Sequence, residues 1–227
     1  PNGEWIENTN PYHAPGFCEG SAWQFTWYVP HDVKSLINLI GERQFIDRLN
    51  AGFATSEKVS FNALGDNMGA YPINHGNETN MQAAYLFSYT SEPWHTQKWA
   101  RAIQEKYYGM GPRDAYPGDE DQGQMSSWYI LSSIGLFQMD GGCSKDPVWL
   151  LGSPRFDRVE ILLDNTYYSG KKLIIKAENV SKDNCYIQYV RFNNKRLSNN
   201  YIEWSKLKKG GTLHFIMGDR PNPNAFK

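Results

Sequence analysis

The stretch LGSPRFDRVEILLD, Leu151–Asp164, divides the chain into two periodicities. Ahead of it, apolar residues recur every three or four positions; from about Gly152 onward they alternate. On the alternating side, Val159, Ile161 and Leu163 share one face, as do Leu173, Ile175 and Ala177, then Cys185, Ile187 and Tyr189, then Leu213, Phe215 and Met217. The turn-forming runs YYSGK, FNNKR and KKGG separate these segments. The chain therefore reads as α+β: residues 1–152 mainly helical, residues 153–227 a small β-rich C-terminal unit packed on the helices as a sheet or sandwich.

Working back from the divide, Met125, Trp128, Tyr129, Ser132 and Leu136 lie on one helical stripe that ends near Gly135. Ala83, Ala84, Leu86 and Phe87 suit a buried helix, and Ser91-Glu92-Pro93 reads as the start of another that Gly109 closes. Val33, Leu36, Ile37 and Ile40 form a stripe that stops at Gly41 and resumes with Phe45, Ile46 and Leu49, which predicts two helices with a sharp joint.

A composition 40% hydrophobic and 15% aromatic over 227 residues is enough to bury a sizeable core. The formal net charge of -1, with no basic cluster denser than KLKKGG at Lys206–Gly211, gives no bulk electrostatic reason to bind nucleic acid or an anionic membrane. No apolar run is long enough to cross a bilayer. The three cysteines, Cys18, Cys143 and Cys185, are widely spaced and without a CxxC, so they read as buried free thiols. The sequons at Asn77 and Asn179 are too common by chance to decide anything.

Three polar loops precede helices. In the first, Asp119, Glu120 and Asp121 stand together at the mouth of the stripe beginning near Met125. One acidic residue there would cap free N–H groups; three repel one another, and suit a loop that binds a cation or takes a proton from water. In the second, Glu19 sits among Phe17, Trp23, Phe25 and Trp27, where apolar surroundings would raise its pKa and make it a general acid. In the third, His75, Asn77, Glu78 and Asn80 gather oxygens suited to a hard cation such as calcium, though without EF-hand spacing. Carboxylates on separate loops amid aromatic rings are the parts of a carbohydrate-cleaving site in a helical barrel. Nucleophile-elbow, phosphate-loop and dinucleotide fingerprints are missing from the sequence.

CEGSAWQFTWYVPHDV (Cys18–Val33), HGNETNMQAAYLF (His75–Phe87), GDEDQGQMSSWY (Gly118–Tyr129) and LGSPRFDRVEI (Leu151–Ile161) together resemble glycoside hydrolase family 92, calcium-dependent exo-acting α-mannosidases abundant in gut and soil bacteria. The resemblance implies part of an (α/α)6 barrel, with a missing N-terminal β-sandwich domain as its partner, and hydrolysis of terminal α-linked mannose, with α-1,2 linkage expected, from N-glycans or mannan with inversion. It implies Glu19 as the acid that protonates the departing oxygen, and Asp121 with Asp119 as the base that activates water. Asn77 and Glu78 are implied beside the calcium ion (Ca2+), with Trp23, Gln24, His75 and Gln122 as sugar contacts. The cis hydroxyls at O2 and O3 of mannose give a cation something to chelate, which would couple metal binding to substrate choice.

Where many relatives continue GNEP and then a histidine pair, this chain has Thr79, Asn80, Met81 and Gln82, which opens the question of linkage. An inverting site places its two carboxyl groups about 6.5–9.5 Å apart, against about 5–5.5 Å for a retaining one. Polymeric α-mannoside substrates imply a periplasmic, extracellular or cell-surface location. The competing readings are a non-catalytic carbohydrate-binding or structural fragment of such an enzyme, and an unrelated helical glycosidase whose activity survives calcium removal.

Overall fold

The computed structural model describes residues 10–11, 16–63, 69–116, 118 and 120–227, and is a mixed α+β structure with helices first and strands last. The helices are α1 (Ala22–Phe25), α2 (Val33–Ile40), α3 (Glu42–Ser56), α4 (Glu78–Met81), α5 (Trp94–Lys106) and α6 (Gln124–Ser133). Asp32 starts α2 by accepting a hydrogen bond from the Ser35 N–H at 3.1 Å. The joint falls at Gly41, whose φ of 85° suits glycine; it donates to the Ile37 carbonyl at 2.8 Å and accepts from Phe45 N–H at 2.8 Å.

α3 turns Phe45, Ile46, Leu49 and Phe53 inward, a stripe of helical period, and Phe53 stacks on Trp99 of α5 with ring centroids 5.3 Å apart. Phe61 and Phe87 close around the same pair. The buried helix expected around Ala83–Phe87 is present as a 3-10 helix, Ala83–Tyr89, with Ala83 through Phe87 fully buried. One helical expectation is corrected. α5 ends at Lys106, before Gly109, whose N–H instead donates to the Asp114 carbonyl at 2.7 Å across the following loop. The C-terminal glycine of α6 is where the sequence puts it, at Gly135 with φ 82°.

The strands form two sheets. β1 (Leu136–Phe137), β2 (Val148–Leu151) and β7 (Tyr201–Glu203) pair antiparallel in that order. β3 (Arg158–Leu162), β4 (Lys172–Glu178), β8 (Gly211–Gly218), β5 (Tyr186–Phe192) and β6 (Lys195–Arg196) follow one another across the second sheet, with β4 and β8 parallel and the other pairs antiparallel. α7 (Trp204–Leu207) follows β7. The β5–β6 hairpin turns at Asn193 and Asn194, both left-handed, as a tight two-residue connection requires.

Leu173, Ile175 and Ala177 of β4 and Leu213, Phe215 and Met217 of β8 fill a core shared by both sheets, which also takes in Leu136, Leu151 and Ile202. In β5 the expected Cys185–Ile187–Tyr189 face is broken. The register slips between Ile187 and Tyr189, and one extra residue inverts the alternation, so Val190 is buried in place of Tyr189.

The helical and β-rich parts are joined by hydrogen bonds as well as apolar contact. The Gln97 side-chain oxygen accepts from Ile187 N–H at 2.8 Å, Asn200 donates to the Ser88 carbonyl at 2.6 Å, and the buried Arg101 guanidinium donates to the carbonyls of Pro154 and Ser181. All three cysteines are free, but the expected burial fails: Cys18 and Cys143 are exposed and Cys185 half-buried, because each stands in a loop outside the two cores. Among the described residues no helix is long and apolar enough to cross a membrane.

Candidate active site

The three polar loops converge at helix starts. Glu19, with φ 53°, lies in the turn before α1, and its carbonyl accepts from the Asn77 side-chain nitrogen at 2.6 Å. Asn77 in turn precedes α4. The acidic loop reaches the same place through two glycines: a Cβ on Gly118 would lie 2.7 Å from the Gly76 Cα and 2.4 Å from the Tyr107 hydroxyl. That close approach demands glycine at both positions. Gly118→Ala is expected to force these loops apart, lowering kcat at least tenfold, alongside a measurable drop in melting temperature; unchanged kinetics would show the approach to be dispensable.

The acidic block divides its labour. Glu120 is the cap of α6: its carboxylate accepts from both the N–H and the hydroxyl of Ser126, and its carbonyl accepts from Gly123 and Gln124 N–H. Asp121, Gln122 and Gly123 then run left-handed in succession, with φ of 32°, 62° and 87°, and this turn carries the Asp121 carboxyl to Glu78. A hydrogen bond with Glu78, then desolvation and the Glu78 charge, push the Asp121 carboxyl above its ordinary pKa. Glu78 also accepts a hydrogen bond from the Gln124 side chain, a partner that no motif singled out and that only its place in the polar run Gln122-Gly123-Gln124 could have suggested. Asp119 lies outside the described residues.

Two expected sugar contacts are enclosed instead. Gln24 is fully buried and donates to the Tyr71 carbonyl at 2.7 Å, while its own carbonyl accepts from the buried Asn80 at 3.0 Å, an amide that also accepts from Asn74 N–H at 2.9 Å. Gln24 and Asn80 thus tie α1 to the loop before α4. His75 is fully buried among Tyr107, Tyr108 and Trp128, the last only 4.3 Å away between ring centroids.

Tyr108 spends its single hydroxyl proton on the Met125 carbonyl, at 3.0 Å. The His75 Nε2, 2.9 Å from that hydroxyl, must therefore carry the donated proton, which fixes the neutral tautomer. Burial pushes the His75 pKa down to about 3. A sugar has no access to this ring; it braces the loop of Gly76–Glu78 against the start of α6. Because the folded ring resists protonation, its contribution to stability is complete above the ordinary histidine pKa and declines as pH falls from about 6.5 toward 3.

The remaining expected residues are on the surface of this junction. Gln122 is exposed and Trp23 half-buried, with the Arg48 guanidinium 5.2 Å from its ring centroid. Glu19 is exposed as well, not enclosed by apolar side chains as its neighbours in sequence imply, since its left-handed backbone sits outside the packed face that holds Trp27. Asn77 is buried and Glu78 half-buried.

Among the described residues no group of three or more His, Cys, Asp or Glu side chains is placed to hold a metal ion. The donors that do gather here are nonetheless hard oxygens: the Asn77 amide and the Glu78 and Asp121 carboxyls. Two carboxyl groups in mutual contact are a place where a divalent cation relieves repulsion, so the donor chemistry fits calcium as a partial ligand set.

Over residues 1–219 the chain matches the model of the glycosyl hydrolase family 92 catalytic domain. It is similar in structure to a family GH92 alpha-mannosidase of Bacteroides thetaiotaomicron, at 33% identity and TM-score 0.81, covering 98% of this chain and 28% of that one. A family GH92 inverting mannosidase of Bacteroides thetaiotaomicron VPI-5482 superposes with TM-score 0.81 at 31% identity, over 98% of this chain and 31% of its own. An uncharacterized secreted glycosidase of the fungus Arthroderma benhamiae is 29% identical over 203 residues, 88% of this chain and 23% of that protein. The chain thus spans under a third of the length of these relatives. With the family model matched along nearly its whole length, the chain belongs to glycosyl hydrolase family 92.

Proposed function

We propose that the chain is the C-terminal portion of an inverting, calcium-dependent α-mannosidase that releases terminal mannose, α-1,2-linked first among the candidates, from N-glycans or mannan. The observation that carries this is the junction of three loops, with Asn77 holding the Glu19 backbone and Glu78 holding Asp121. In this reading the helices are part of an (α/α)6 barrel completed by helices outside this chain, with an N-terminal β-sandwich as partner. The secreted fungal relative supports action outside the cytoplasm, in the periplasm or at the cell surface.

Glu19 is assigned the general acid, donating a proton to the glycosidic oxygen as the bond breaks. Asp121, aided by Asp119, takes a proton from the water that attacks the anomeric carbon from the opposite face. Asn77 and Glu78, with Asp121 beside them, are assigned to the calcium ion, which when bound supplies positive charge to mannose hydroxyls and to the developing transition state. Trp23 and Gln122, at the surface of the junction, are assigned to the sugar.

The contact with Glu78 sets a pH signature. With no cation between them, a carboxyl raised by a neighbouring carboxylate ionises only at higher pH, so in calcium-free buffer Glu78→Gln is expected to shift the Asp121 titration, followed by side-chain carboxyl NMR, to lower pH. An Asp121 titration that stays in place would separate Glu78 from the base.

A second reading, a non-catalytic carbohydrate-binding or structural fragment, is favoured by the exposure of Glu19 and by the small share of each relative that the chain covers. Assaying the chain alone and then joined to the preceding part of the protein, with an α-mannobiose panel in calcium and in chelator, separates the two. Turnover only in the joined form assigns the activity to the assembled enzyme. Turnover in neither refutes the mannosidase reading for this chain.

A further inference from the structure

The larger sheet carries a row of basic side chains from one edge to the other. The strand registers set Arg158 of β3 beside Lys176 of β4, Lys176 beside His214 of β8, His214 beside Arg191 of β5, and Arg191 beside Arg196 of β6. Ile175, Leu213, Phe215 and Val190, which alternate with them along the strands, are buried in the core, so the row lies on the opposite, solvent face. Arg158, Lys176, Arg191 and Arg196 are exposed and His214 is half-buried. With neighbouring strands about 4.8 Å apart, the row is about 19 Å long.

Like charges directly opposite one another in a strand pair repel, so the row costs stability. Charged side chains guard sheet edges against pairing with other chains, which accounts for Arg158 and Arg196 on the outer strands but not for Lys176, His214 and Arg191 between them. Nor is the charge neutralised in place. Of the carboxylates on this face, Glu160 is shared by Arg158 and Lys172, and Glu178 lies 3.4 Å from His214. Lys176, Arg191 and Arg196 have no ion pair among the described residues. Two of them are nonetheless held in position: the Arg191 and Arg196 guanidiniums lie 5.0 and 5.4 Å from the Tyr189 ring centroid, and Arg196 donates to the Asn224 carbonyl at 3.0 Å.

The shape of this charge says what fits it. A straight row across exposed strands matches a linear polyanion better than a single ion, which needs donors converging on one point. Nucleic-acid strands are held on open aromatic rings, and Tyr189 is already occupied by two guanidiniums. In a glycosidase catalytic domain the linear polymer at hand is a glycan. We propose that the row binds a linear glycan bearing phosphate or sulfate esters, laid across the strands, and so tethers an anionic polymer to the enzyme. Such a tether raises the effective concentration of the polymer's ends around the rest of the domain. Binding here is independent of whether the chain turns over mannosides.

Titration calorimetry of the chain joined to the preceding part of the protein, in excess chelator so that hydrolysis does not intervene, tests this with phosphorylated mannan, heparin and neutral mannan. Saturable binding of an anionic glycan, weakening as salt is raised, and no binding of neutral mannan are expected. The double variant Lys176→Thr with Arg191→Thr should bind roughly tenfold or more weakly, with a melting temperature no lower than the parent's, since it relieves repulsion and threonine suits a strand. Lys34→Gln with Lys58→Gln removes the same charge from exposed positions in the helical part and should bind as the parent does. Tighter binding of phosphorylated mannan identifies phosphate esters as the ligand, and tighter binding of heparin identifies sulfate esters. Binding of neither anionic glycan, equal binding of neutral mannan, equal affinity in the two double variants, or tighter binding to phosphatidylserine vesicles than to either glycan would each overturn the proposal.

Discussion

Asp121→Asn is expected to lower kcat by about 10²–10⁴-fold while leaving KM and the melting temperature near the parent's. The substitution removes the proton acceptor and one carboxylate charge from the calcium donors, so kcat is compared at saturating calcium. Asparagine tolerates the left-handed backbone of this turn, with its φ of 32°, and its amide keeps a hydrogen bond with Glu78. The α6 cap is untouched, since Glu120 and not Asp121 supplies it. Steady-state kinetics beside a thermal melt make the comparison. A loss under tenfold with an intact fold would move the base elsewhere, to Asp119 first.

Glu19→Gln should discriminate by leaving group. Hydrolysis of an α-mannobiose needs a proton delivered to the departing sugar oxygen, so kcat/KM on it is expected to fall by about 10²–10⁴-fold. α-Mannosyl fluoride leaves without that proton and should keep most of its rate. The Glu19 carbonyl, through which Asn77 holds this turn, is the same in both proteins, so geometry is preserved. Equal losses on the two substrates would assign Glu19 to binding or folding instead of acid catalysis.

The fold was legible where periodicity was long. The break at Gly41, the α3 face through Phe45, Ile46 and Leu49, and the alternation of β4 and β8 all follow from spacing, because one face of each is buried. β1, β2 and β7 run only two to four residues and are too short to carry a pattern, and the β5 bulge inverts one partway through. Ala83–Ser88, all buried, reads as a buried helix but has no solvent-facing side whose period could tell 3-10 from α.

At the site, residue types pointed to loops that the structure brings together, but not to the contacts each residue makes within them. That Glu120 caps while Asp121 reaches Glu78 depends on three consecutive left-handed residues, only the last of them glycine. Gln24 and His75 look like ligand-facing polar residues in a motif; both are in fact buried supports, and only the aromatic ring of Tyr107, Tyr108 and Trp128 around His75 reveals it.

The pairing of Glu19 with Asp121 stands or falls on stereochemistry. Proton NMR of the assembled enzyme acting on α-1,2-mannobiose in calcium, recorded before mutarotation, reads the first-formed anomer. β-Mannose appearing first, and only while calcium is present, is the expected result. α-Mannose appearing first would mean retention and a nucleophilic carboxylate, and would contradict the assignment of Asp121 as a base acting through water.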